Sequence, residues 1–179
     1  QEVADHLDRL MSEFPLTGTG LNGIGVRDFS DDVAQGLRAP LAQWDKNRRR
    51  IVLNLDYWTH SLEEIAASRR KSEASHWLAD TGGNPMATIT HEYGHALYDA
   101  LVSAGGERHA SVGLSWVDTQ RLGTYARSTT AEKFAETFVS YVHNPLAREE
   151  LGTYGMGGLL NYLNNHVHLV GPMFDFWKG

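Results

Sequence analysis

His91-Glu92-Tyr93-Gly94-His95 sets two imidazoles four residues apart, with a carboxylate directly after the first. On an α-helix, residues four apart stand one turn above each other on the same face. His91 and His95 can therefore place two ring nitrogens on one Zn2+, a metal commonly held by imidazole. Glu92 is offset by one residue, so its carboxylate reaches the water such an ion activates rather than the ion itself. Zinc lowers the pKa of a water it holds from about 15.7 to about 7, where a carboxylate can take the proton. The pattern thus supplies two metal ligands and a general base. The plain alternative is a helix that buries two histidines and gives them ordinary polar partners.

The flanking residues favour a helix over 84–102. Asn84 suits the N-cap and Pro85 the first helical position. Met86, Ile89, Tyr93, Leu97 and Leu101 recur at helical spacing and form an apolar stripe. His91 and His95 lie beside that stripe, with Thr88 and Val102, and so face partly inward.

A catalytic zinc ordinarily has three protein ligands and one open position. The metzincin continuation needs a glycine at 98 and a histidine at 101, but those residues are Tyr98 and Leu101. That subtype is excluded. Downstream, residues 130–143 read as a second helix, with Phe134, Phe138 and Tyr141 as its stripe and Asn144-Pro145 as its end. Glu132 and Glu136 are four apart on one face of it. One carboxylate could bind the metal while the other accepts a hydrogen bond from a ligand histidine and fixes its tautomer. A second reading makes Thr129 and Glu132 a capping box and leaves Glu136, near Lys133 and Arg127, on a solvated face.

His91-Glu92-Tyr93-Gly94-His95-Ala96, Tyr125 and Glu132-Lys133-Phe134-Ala135-Glu136 together resemble the anthrax lethal factor-type zinc metallopeptidases, in the gluzincin branch of the zincins. That family pairs H-E-F/Y-G-H-A with a helix of the form E-F-F-A-E-x-F. It also carries a tyrosine seven residues before the ligand glutamate, the separation of Tyr125 from Glu132. The resemblance spans roughly residues 84–143. Lys133 departs from it, replacing an apolar residue at a position expected to be exposed. The resemblance implies His91, His95 and Glu132 as zinc ligands, Glu136 as the partner of a ligand histidine, Glu92 as general base and Tyr125 as oxyanion donor. A phenol suits that last role because it donates while neutral below about pH 10. Without the resemblance, Tyr125 is a half-buried tyrosine in a turn-rich loop.

The chain has 179 residues, enough for one domain with its own core. Hydrophobic residues make up 41% and charged residues 21%, an ordinary globular balance. A net charge of −6 gives no support for nucleic-acid binding. The basic runs at 46–50 and 69–71 read as a solvated turn and an exposed helix face. With no cysteine, any zinc must be held by histidine and carboxylate. No segment is long and apolar enough to span a membrane. The chain begins at Gln1, which suggests a domain excised or processed from a larger protein.

Elsewhere, residues 2–14 read as an amphipathic helix through Val3, Leu7, Leu10 and Phe14. The Gly-rich stretch 17–26 lacks the ending of a phosphate loop and should lead into a short strand at 24–27. Ser30 should cap a short helix or turn over 31–37, followed by helix or loop toward Trp44. Residues 49–57 hold the strongest strand pattern, expected by fold analogy to be the edge strand that pairs with substrate. Ser61 and Glu64 form a capping box for a helix over 62–75. Residues 105–122 read as a polar loop that could wall a cleft, and 159–169 as a last helix following Gly155-Met-Gly-Gly. His166 and His168 diverge on a helix and make a poor metal pair. His6, His60, His76, His109 and His143 show no partner in sequence.

The expected architecture is α+β and mostly helical, a zincin-like domain with a small mixed sheet packed on the helix bearing residues 91–95. The expected activity is zinc-dependent endopeptidase cleavage of a protein or peptide substrate. A zinc hydrolase of a non-peptide bond, or a non-catalytic zinc-binding module of a toxin or virion protein, are the alternatives. By resemblance, the protein would be secreted, or delivered as part of a larger toxin or phage protein.

Overall fold

The computed structural model describes residues 1–14, 21–37, 39–103, 114 and 122–144. It is mostly helical, with one small three-stranded mixed sheet. Helix α1 (Glu2–Glu13) carries Glu2 and Asp5 in its first turn, where the helix dipole favours acid, and buries Leu7 and Leu10. Strand β1 (Ile24–Arg27) follows, then a single-turn helix α2 (Ser30–Ala34). Ser30 lies inside that turn rather than capping it. Asp28 Oδ1 instead accepts from the Ser30 N–H at 2.8 Å, and the helix stops short of Leu37.

Residues 42–45, expected as helix or loop, form strand β2 (Ala42–Asp45). A four-residue turn at 46–49 then leads into β3 (Arg50–Asn54). Of the basic run at 46–50, residues 46–49 occupy this exposed turn as expected, while Arg50 is half-buried and begins β3. Strand β3 ends sooner than its apolar run suggests. Asn54 Oδ1 accepts from the Asp56 N–H at 3.1 Å and caps a short helix α3 (Leu55–Trp58).

The sheet order is β1-β3-β2, with β1 parallel and β2 antiparallel to β3. In register, Val26 and Ala42 both face Leu53, and Trp44 faces Ile51. The strand expected at the edge is therefore central. Its buried run Ile51-Val52-Leu53 fits a strand covered on both sides.

Helix α4 (Leu62–Ala74) starts with the predicted capping box: Ser61 Oγ accepts from Glu64 N, and Glu64 Oε2 accepts from Ser61 N at 2.9 Å. Its basic run is not all solvated, because Arg69 is buried. Helix α5 (Ala87–Ser103) begins three residues later than predicted, after a turn in which Asn84 Oδ1 accepts from Met86 N. Helix α6 (Thr130–His143) keeps its predicted bounds and is preceded by a 3₁₀ turn at Tyr125–Arg127.

The core joins α1, β3, α5 and α6 through Leu10, Ile51, Ile89, Tyr93, Leu101 and Phe138. The Tyr93 hydroxyl donates to the Phe14 carbonyl at 2.6 Å, tying α5 to the end of α1. Helices α5 and α6 meet where Gly94 lies against Ala135. A Cβ on Gly94 would sit 2.9 Å from the Ala135 Cα. The missing side chain lets the backbones approach closely, and it faces Glu132 and Glu136 toward the histidines of α5.

Among the described residues, no helix is long and apolar enough to cross a membrane. The expectations for 105–113 and 115–121, for 155–158 and for 159–169 lie outside the described residues, as do His109, His166 and His168. Leu114 and Leu122, which are described, are buried.

Candidate metal centre

His91, Glu92 and His95 project from α5 into a cleft of about 530 Å3. Its other walls come from β2 (Ala42, Gln43, Trp44), from Tyr125 and from Glu132 of α6. His91 Nε2 lies 3.0 Å from His95 Nε2. Glu132 Oε2 lies 2.9 Å from His91 Nε2 and 3.3 Å from His95 Nε2. One ligand atom from each of the three residues falls within 4.8 Å of the others, so the group could hold a metal ion.

Glu136 is almost fully buried, at 1% exposure, and is not part of a solvated face. Its Oε1 is 2.8 Å from His91 Nδ1, and its Oε2 accepts from the Ala79 N–H at 2.8 Å. An ionised carboxylate only accepts, so Nδ1 of His91 carries a hydrogen, and Nε2 is the ring nitrogen left to bind a cation once its own proton is displaced. Nε2 faces Glu132 Oε2, a buried oxygen that no hydrogen bond of good geometry satisfies. Two imidazole nitrogens and a carboxylate oxygen converging in this way is an arrangement that fits a cation. Glu132 also belongs to the N-terminal cap, but only through its backbone. Its N–H donates to Thr129 Oγ1 at 3.1 Å, while the carboxylate turns to the histidines.

The local field has the same sign preference. Burial disfavours the His91 cation, yet hydrogen bonds donated to Glu132 and Glu136 and the charges of Glu136 and Glu92 raise its pKa to about 10, so the pocket favours positive charge at this ring, whether a proton or a metal ion. Burial pushes Glu132 up, but His91 and His95 outweigh it and hold the carboxyl well below its ordinary range. Burial first, then the Glu132, Glu92 and Glu136 charges, push the Tyr125 phenol well above its usual value. Tyr125 is thus a neutral donor beside the cluster. Its ring centroid lies 5.8 Å from that of His91 and 5.4 Å from that of Trp77.

The turn bearing Tyr125 is docked on residues 76 and 77. Tyr125 N donates to Trp77 O at 3.1 Å, and Thr124 N donates to His76 O at 2.8 Å. Gly123 makes the approach possible. Its φ is +82°, and a Cβ there would meet the Trp77 carbonyl at 2.8 Å.

Glu92 is buried on the cleft wall. Its Oε2 accepts from the Trp44 main-chain N–H at 2.6 Å, which fixes the carboxylate against β2. The Trp44 indole donates to Asp99 Oδ2 at 2.7 Å, and Lys46 pairs with Asp99 Oδ1 at 3.0 Å. Trp44, Asp99 and Ala79 were not legible as site residues. The signal for the first was the turn-forming Asp45-Lys46-Asn47 ahead of a strong strand, which marks a hairpin partner at 42–45. Lys133 is half-buried rather than exposed.

His6 and His143, partnerless in sequence, meet outside this site at the buried Thr90 hydroxyl, at 2.8 and 2.7 Å. Comparison with family models, curated proteins and solved structures returns no match to the chain.

Proposed function

We propose that this chain is a zinc-dependent endopeptidase domain, zincin-like and of the lethal factor type that its sequence resembles. The observation carrying the proposal is the convergence of His91 Nε2, His95 Nε2 and Glu132 Oε2 in a cleft that Glu92 and Tyr125 also line. His91, His95 and Glu132 would hold the zinc. A zinc ion bound there supplies a Lewis acid for the scissile carbonyl and lowers the pKa of water to about 7.

The residues divide the remaining work. Glu92, held on one oxygen by Trp44 N, takes a proton from the attacking water and delivers it to the leaving amine. Tyr125 donates its hydroxyl to the carbonyl oxygen as negative charge develops there. Glu136 keeps the His91 hydrogen on Nδ1 and the ring fixed. Among the described residues strand β2 is an edge strand and borders the cleft, and edge strands recruit extended peptides through their main chain. That placement favours a peptide substrate over a non-peptide ester or amide. The joint presence of Glu92 and Tyr125 favours an enzyme over a passive zinc-binding module. The cellular setting that goes with the resemblance is secretion, or delivery within a larger toxin or phage protein.

The test measures metal content of wild type, His95→Ala and Glu132→Ala, and digests a proteome-derived peptide library with and without chelator. Wild type should carry one zinc and both variants should lose it. Chelator-sensitive cleavage should disappear in Glu92→Gln with the zinc retained. Full metal in both ligand variants, or undiminished cleavage by Glu92→Gln, would falsify the assignment.

A further inference from the structure

Arg69 and Glu73 stand one turn apart on α4 and are both buried, with Arg69 Nε 2.9 Å from Glu73 Oε1. Neither lines the cleft. A buried ion pair must overcome the desolvation of two charges, and apolar residues of similar volume are often as stable or more so. Its bonding partners therefore matter more than the pair itself.

Those partners belong to the loop between α4 and α5. Glu73 Oε1 accepts from Thr81 N at 3.2 Å and from Thr81 Oγ1 at 2.5 Å, and Glu73 Oε2 accepts from Gly83 N at 2.8 Å. Arg69 Nη2 reaches the Ala79 carbonyl at 3.5 Å. The loop has no helix or strand of its own, and Gly82 and Gly83 adopt left-handed φ values of +68° and +76°. Its path is set largely by what α4 offers it.

The other side of the same loop faces the metal centre. Ala79 N–H holds Glu136 Oε2, and Glu136 Oε1 holds His91 Nδ1, each at 2.8 Å. Trp77 O and His76 O hold the turn that carries Tyr125. One peptide segment thus fixes both a ligand histidine's partner and the oxyanion donor.

We infer that Arg69 and Glu73 are positioning residues for the metal centre, acting through residues 76–83 on Glu136 and Tyr125. The inference rests on the metal reading above. Loosening the pair lets Ala79 N–H drift from Glu136. His91 then loses its fixed ring orientation, and metal affinity falls although no ligand has changed.

The test is Co2+ binding to the full chain, read by competition with a chromophoric chelator and by the visible ligand-field bands. Three variants are compared with wild type: Glu73→Gln, Arg69→Lys, and Ile65→Val as a core-trimming control on the same helix, where Ile65 is buried. Glu73→Gln should weaken Co2+ about 10-fold, the lower end for partners of metal ligands, and shift the bands. Arg69→Lys should weaken it less. Ile65→Val should lower the melting temperature with affinity and bands unchanged. If Glu73→Gln does not fold, Arg69→Lys carries the comparison. Equal affinity and identical bands in the folded pair variants overturn this inference alone. The same losses in Ile65→Val also overturn it, since general softening would then explain them. Wild type that takes up no Co2+ overturns the metal reading and this inference together.

Discussion

Both oxygens of Glu136 are engaged, one by Ala79 N and one by His91 Nδ1, whereas Glu132 faces Nε2 of both histidines. That division of labour separates Glu136 from Glu132, which the sequence left open because the two share one helix face. Glu136→Gln should retain the fold but weaken zinc about 10- to 100-fold, because an amide NH2 facing Nδ1 favours the tautomer with its hydrogen on Nε2. Zinc competition with a chelator measures it, and unchanged affinity would show that the His91 tautomer is set elsewhere. Tyr125→Phe removes one hydroxyl and little volume. A donor used chiefly in the transition state should lower kcat and kcat/KM together, by about 100-fold or ~2.7 kcal/mol. Steady-state kinetics on zinc-loaded protein decides it, and a pure KM effect would make Tyr125 a substrate-packing residue.

At the scale of elements, the decisive contact is α5 on α6. Gly94 sits inside a helix, where alanine would ordinarily be favoured by about 1 kcal/mol. Here the added Cβ meets the Ala135 backbone at 2.9 Å, and overpacking of this kind costs about 1–3 kcal/mol. Since the obstacle is backbone rather than a mobile side-chain end, the steric cost should win. Gly94→Ala should lower stability by about 1 kcal/mol and weaken zinc by moving Glu132 away from the histidines. Urea unfolding paired with zinc titration tests both halves, and a more stable variant with unaltered affinity would refute the close-packing account. The strand pattern illustrates the opposite lesson. Ile51-Val52-Leu53 is plain in sequence, but an apolar run states only that a strand is buried. Its central place in the sheet depends on β1 and β2, one parallel and one antiparallel.

For the whole molecule, the buried node at Thr90 ties α1, α5 and α6 together through His6 and His143, whose rings stack with centroids 5.5 Å apart. Burial, and secondarily Arg9, lower the His6 pKa to about 4. With an unfolded value near 6.5, the unfolded chain binds more protons between those limits. Stability should therefore fall as pH drops through about 6.5, with the loss complete near pH 4. His6→Gln can still donate to Thr90 and cannot titrate, so its urea midpoint should fall less than wild type between about pH 7.5 and about pH 5. Parallel midpoint shifts in the two proteins would remove His6 from the pH response.

What the sequence determined by itself was whatever one helix period or one cap can encode. That covers the stripes and bounds of α1 and α6, the Ser61–Glu64 box, the facing pair His91 and His95, and the pairing of Glu132 with Glu136 on one turn. These depend on neighbours within about four residues, so chain order alone specifies them. Tertiary structure decided which carboxylate meets His91 Nε2 and which meets Nδ1. It also decided that β2 walls the cleft, that Trp44 N holds Glu92, and that a loop braced by a buried Arg69–Glu73 pair reaches both Glu136 and Tyr125. The partners in those contacts lie tens of residues apart, 48 for Trp44 with Glu92 and 57 for Ala79 with Glu136. No local period records such distances. They are fixed by the close crossing of α5 and α6 at Gly94 and Ala135, which only the packed chain expresses.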